Sequence, residues 1–72
     1  MEFKVLKHKS LEGVFGVIHS GDNSEIWHSS KPDLLGPTTN MKNLKKYLKG
    51  SIAESQLDNY DIVSYVLTEK ID

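Results

Sequence analysis

Thr39-Asn40-Met41-Lys42-Asn43-Leu44-Lys45-Lys46-Tyr47-Leu48-Lys49-Gly50 is the stretch that decides the fold class. Within it the apolar period lengthens from the two of a strand to the about 3.6 of a helix. Met41, Leu44 and Leu48 recur at i, i+3 and i+7, one face of a short amphipathic helix, with Tyr47 on its flank. Thr39 or Asn40 can accept hydrogen bonds from the first free N–H groups, and Gly50 is a natural stop. Ser51-Ile52-Ala53-Glu54 then has the spacing of a capping box, which predicts a second short helix or turn to about Leu57.

On either side of this helical stretch the pattern is that of strands. Tyr60 to Thr68 carries apolar groups on both faces (Ile62, Val63, Tyr65, Val66, Leu67), as in an interior strand. At the other end, Glu2 to His8 alternates, with Phe3, Val5 and Lys7 facing one way and Lys4, Leu6 and His8 the other. A turn through Lys9–Gly13 leads to a β-rich segment from Val14 to His19, where Gly16 signals a bulge or a close backbone approach. Ser20-Gly21-Asp22-Asn23-Ser24 is a strong turn, and Glu25–Ser30 returns as the third strand. Both prolines, Pro32 and Pro37, fall in the connector to the helix, which predicts irregular structure there. The expected order is β-β-β-α-(α)-β. This is an α+β domain in which a small antiparallel or mixed sheet carries one helix on one face.

The 72 residues suffice for one domain, residues 1–72, and a chain of this size buries only about 60% of its unfolded surface. It has no cysteine, which excludes disulfides, thiolate zinc sites and thiol catalysis, and fits a reducing cytoplasm. Met1–Val5 does not resemble a signal peptide, and no apolar run approaches the roughly 20 residues of a membrane span. The net charge of −1 is unevenly distributed. Residues 1–50 hold eight lysines against five acids, whereas residues 51–72 hold one lysine against five. Arginine is absent, which weakens any reading as a sequence-specific DNA binder.

The sharpest constellation is Lys42, Lys45, Lys46 and Lys49, a basic stripe at i, i+3, i+4 and i+7. It reads either as the solvated side of the helix or as a docking face for an acidic protein or phosphate. Trp27, the single tryptophan, is either a sheet aromatic or an interface anchor, and His28 beside it shares that ambiguity. His19 and His28 flank one hairpin turn and could approach each other, but no metal-ligand spacing accompanies them. No nucleophile elbow and no phosphate-binding glycine loop occurs, so neither an enzyme nor a cofactor is expected.

Three segments together carry a resemblance: Val5-Leu6-Lys7-His8-Lys9, the helix Met41–Leu48, and Asn59-Tyr60-Asp61-Ile62-Val63-Ser64-Tyr65-Val66-Leu67. The whole resembles the small accessory proteins of tailed bacteriophages. That resemblance implies a host-cell cytoplasmic, non-enzymatic factor that binds and inhibits a host defence or regulatory protein. Lys42, Lys45, Lys46, Lys49, Trp27 and His28 are the expected contact residues, and an acidic protein surface is the expected partner. One alternative is an oligomeric sponge for a nucleotide-like small molecule. The other is a module for RNA or single-stranded nucleic acid that uses aromatics and lysines.

Overall fold

Val5 and Leu6 are neighbours in sequence and both are sealed from solvent, at 0% and 1% exposure. Successive side chains of a strand point to opposite faces, so the two are shielded on different faces, as at the centre of a sheet. The computed structural model, which describes residues 2–20 and 23–66, shows why. Strand β1 (Glu2–His8) lies inside a four-stranded sheet with β2 (Phe15–His19), β3 (Glu25–Ser29) and β4 (Tyr60–Val66). The order across the sheet is β3-β2-β1-β4 and every pairing is antiparallel, which decides between the antiparallel and mixed alternatives. Three strands follow one another as a meander, and the fourth returns by a long connection beside the first, the order of a Greek key. That connection contains α1 (Met41–Tyr47), α2 (Ile52–Gln56) and a single 3-10 turn at Leu57–Asn59. The second short element read after Gly50 is thus a helix, α2, and the order is β-β-β-α-α-β.

β1 and β4 pair over seven residues, from Glu2↔Val66 to His8↔Tyr60. The β1–β2 ladder is shorter, with only Leu6↔Gly16 and Lys7↔Phe15 in register. At Lys4 the connector takes the place of β2. The Lys4 N–H donates to the Leu35 carbonyl at 3.2 Å and the Leu35 N–H to the Lys4 carbonyl at 2.8 Å. A segment expected to be irregular thus contributes one isolated bridge, which satisfies main-chain groups that would otherwise lack partners.

The core lies between one face of the sheet and the helices. Leu6, Ile26 and Tyr60 from the strands meet Leu44, Leu48, Ala53 and Leu57. Gly16 explains how Tyr60 fits. A Cβ at that position would stand 2.9 Å from both Ile26 Cγ2 and Tyr60 Cε1, so the expected close approach is real and its cause is the tyrosine ring. Asn40 caps α1, its Oδ1 accepting from the Asn43 N–H at 2.9 Å. Gly50 ends this segment with φ +83°, a conformation that disfavours side chains. The capping box at Ser51 does not form. The Ser51 hydroxyl donates back to the Leu48 carbonyl at 2.5 Å, and Glu54 Oε1 accepts from the Gly50 N–H at 3.4 Å.

Helix α2 covers the outer edge of β3. Gln56 Oε1 accepts from the Ile26 N–H at 2.6 Å, the Ser24 carbonyl from the Ala53 N–H at 3.0 Å, and Asn23 Oδ1 from the Ile52 N–H at 3.3 Å. At the other end of the sheet, β4 is an edge strand, although its sequence reads as an interior one. Gly21 and Asp22 of the expected hairpin turn lie outside the described residues, as do Leu67 and Thr68 of the expected last strand and the segment Glu69–Asp72. Among the described residues no helix is long and apolar enough to cross a membrane.

Candidate functional site

With Leu44 and Leu48 turned into the core, the helical period must carry Lys42, Lys45 and Lys46 outward, and all three are exposed. Lys49, beyond the C-cap Leu48, is exposed as well. Lys45 and Lys46 occupy the last turn, where the helix dipole favours positive charge, so part of the stripe has a local structural reason. Among the described residues one ion pair engages the stripe, Lys45 Nζ to Asp58 Oδ1 at 3.7 Å. Both partners are largely exposed, and such pairs contribute under about 1 kcal/mol. Tyr47, expected on the flank of the apolar face, is instead 72% exposed and lies next to Lys46 in sequence. The stripe is therefore a lysine-rich surface with a projecting aromatic ring.

Trp27 and His28 do not join that surface. Trp27 pairs with Val17, on the sheet face opposite Ile26 and the helices. It is 54% exposed, stacks on His19 with ring centroids 3.7 Å apart, and donates from Nε1 to Glu25 Oε2 at 3.4 Å. It is not a core residue. His28 points to the other face, where it meets His8 edge-on at 5.2 Å and lies 6.3 Å from Tyr60. The six residues expected to act together thus divide into the lysine face, an exposed tryptophan and a separate His–His–Tyr cluster.

His19 and His28, which flank one turn, do not approach each other, for a reason of register. His19 pairs with Glu25 and His28 with Gly16, so the two histidines sit an odd number of steps apart along the ladder and face opposite ways. His8 takes the place of His19. Its Nδ1 accepts from the N–H groups of Ser10 and Leu11 at 3.1 and 3.0 Å, which ties the ring to the β1–β2 turn and leaves the hydrogen on Nε2. Burial raises the Tyr60 phenol above its ordinary pKa. Among the described residues no three histidine, aspartate or glutamate side chains converge as a metal site would require.

A second feature has no local sequence signal. A groove of about 730 Å³ runs between the start of α1 and β4, and Lys4, Lys9 and Lys45 reach it from β1, the following turn and α1. Asp58 and Asp61 also line it, with Lys9 Nζ 4.0 Å from Asp61. Three lysines and two aspartates thus share the lining with Tyr60 and Ile62. No family model, no curated protein and no solved structure matches this chain.

Proposed function

We propose that this chain is a non-enzymatic binding protein whose α1 lysine face docks on an acidic surface of a protein partner. The supporting observation is the exposure of Lys42, Lys45 and Lys46 on α1, whose Leu44 is buried, and of Lys49 just beyond its C-cap. Like charges at these spacings repel by a few tenths of a kcal/mol per pair, and an acidic partner relieves that repulsion. Tyr47, 72% exposed beside the lysines, supplies the kind of amphipathic ring that anchors interfaces. Together with the likeness to phage accessory proteins, this favours inhibition of a host defence or regulatory protein by occlusion in the cytoplasm.

The test compares affinity capture from bacterial lysate by the wild-type protein, a Lys45→Glu/Lys46→Glu variant and a Lys45→Gln/Lys46→Gln control. Both pairs of changes are at exposed sites and should leave the fold intact. We expect a discrete acidic protein whose capture weakens with salt, is reduced by glutamine and is abolished by glutamate. Undiminished capture by the glutamate variant refutes the proposal.

A second reading rests on the groove. Its volume of about 730 Å³ suits a nucleotide-like small molecule, and three lysines reach it. Asp58 and Asp61 offset much of that positive charge, which places this reading second. A rise in melting temperature on adding nucleotides would favour it over protein capture.

A further inference from the structure

We propose that β4 pairs edge to edge, in antiparallel fashion, with β4 of a second copy of this chain. The direction of the main-chain groups comes first. Lys4 turns its N–H and carbonyl to Leu35, away from β4. Along β1 the alternate residues Phe3, Val5 and Lys7 therefore bond to β4, and Lys9 continues the series by donating to the Asn59 carbonyl at 2.9 Å. Their partners Tyr65, Val63 and Asp61 face inward, so Ile62, Ser64 and Val66 direct their N–H and carbonyl groups outward. Among the described residues no strand or helix pairs with this edge.

Edge strands of isolated domains are usually guarded by charge, proline, a bulge or a covering element. The opposite edge of this sheet follows that rule, since α2 covers β3 through Gln56, Ala53 and Asn23. Among the described residues nothing covers the outer main chain of Ile62-Val63-Ser64-Tyr65-Val66 in this way, and the segment itself lacks the other guards. It carries no charge and no proline, and Val66 is 64% exposed. Its apolar groups on both faces are the pattern of an interior strand placed at an edge, and a further strand would make it interior.

The segment also complements itself. A two-fold axis at Ser64 sets Ser64 opposite its own copy and Ile62 opposite Val66 on one face, with Val63 opposite Tyr65 on the other. About six main-chain hydrogen bonds would form. Asp61 falls outside the uncharged window. A short ladder without helix packing lies at the small end of interface sizes, so the dimer should be reversible.

Sedimentation equilibrium from about 1 μM to about 1 mM tests this, chosen to span weak association. We expect monomer at the low end, dimer at the high end, and protection of the Ser64 amide from hydrogen exchange that grows with concentration. Ser64→Pro deletes an outward N–H without touching the ladder to β1, and Val66→Lys places a charge opposite Ile62. Each should weaken association at least tenfold while circular dichroism shows an intact fold. A protein that stays monomeric at the highest concentration overturns the proposal, as does a dimer undiminished by Val66→Lys. Should Ser64→Pro fail to fold, Val66→Lys alone decides, because its site is exposed.

Discussion

Replacing Gly16 with alanine probes the glycine that, among those described, has the least room for a side chain. The added methyl would sit 2.9 Å from Ile26 Cγ2, 2.9 Å from Tyr60 Cε1 and 3.1 Å from Tyr60 Cδ1. Neither neighbour can swing into solvent, because Ile26 is 3% exposed and Tyr60 2%. The sheet or the tyrosine ring must shift, and overpacking of this kind costs about 1–3 kcal/mol. Alanine also restricts the unfolded chain more than glycine does, which returns about 0.4–1 kcal/mol. The net expectation is a loss of about 1–2 kcal/mol, or about 5–15 °C in Tm for a domain of this size. Thermal and urea melts followed by circular dichroism measure it, with an unchanged urea slope as the sign that only stability has moved. The cause can be isolated with Tyr60→Leu, which removes the two ring atoms the methyl would meet. In that background Gly16→Ala should cost measurably less, so the double variant loses less stability than the sum of the two single changes. A Gly16→Ala variant as stable as the wild type, or an equal cost in both backgrounds, refutes the explanation of Gly16 as the space for Tyr60.

Gln56→Ala should cost about 1–2 kcal/mol by leaving the Ile26 N–H without its acceptor, with lost protection of the Ile26 amide in hydrogen exchange. Gln56→Glu keeps an acceptor oxygen and should hold most of that stability at neutral pH. For Tyr60, burial raises the phenol pKa above 10.0, so the folded state retains a proton that the unfolded state releases. Stability from this group is complete below about pH 10 and declines as pH rises toward the folded pKa. Denaturant titrations at increasing pH should therefore show a steeper alkaline loss in the wild type than in Tyr60→Phe.

Elements set by short-range pattern were legible in the sequence, and relations set by strand order were not. Asn40, Leu44, Leu48 and Gly50 define α1 through contacts within a few residues, so its limits and buried face can be read directly. Gly16 could be read as a close approach, but its neighbour Tyr60 is 44 positions away and no local signal names it. The pairing of His8 with His28, in place of His19 with His28, depends on the parity of the β2–β3 register. That register follows from loop length and not from the histidines themselves. The groove was illegible because Lys4, Lys9 and Lys45 come from separate elements, none of which shows a phosphate-binding pattern alone. Gln56 was overlooked because a single polar residue late in a short helix looks solvent-facing until β3 is placed beside it.

The apparent conflict in β4 carries the most information. Val5 and Leu6 show what an interior strand requires here, adjacent apolar residues each buried on its own face. β4 also carries adjacent apolar residues, Ile62 and Val63, but has only one strand neighbour among the described residues, and Val66 is left 64% exposed. β3, also at an edge, follows a different logic, with Glu25, His28 and Ser29 flanking the Ile26-Trp27 pair and a helix across its outer main chain. The two edges therefore cannot be accounted for by one rule for a solitary domain. Among the described residues no charged side chain is buried, so the lysines and carboxylates of this fold are all at least partly exposed, while the Tyr60 ring is buried. A lysine face on α1 and an unguarded apolar edge on β4 differ in chemistry and suit different occupants. The first calls for negative charge, the second for another strand. A dimer joined through β4 would carry two lysine faces and could engage a partner at two points, which would strengthen individually weak contacts without any further interaction surface.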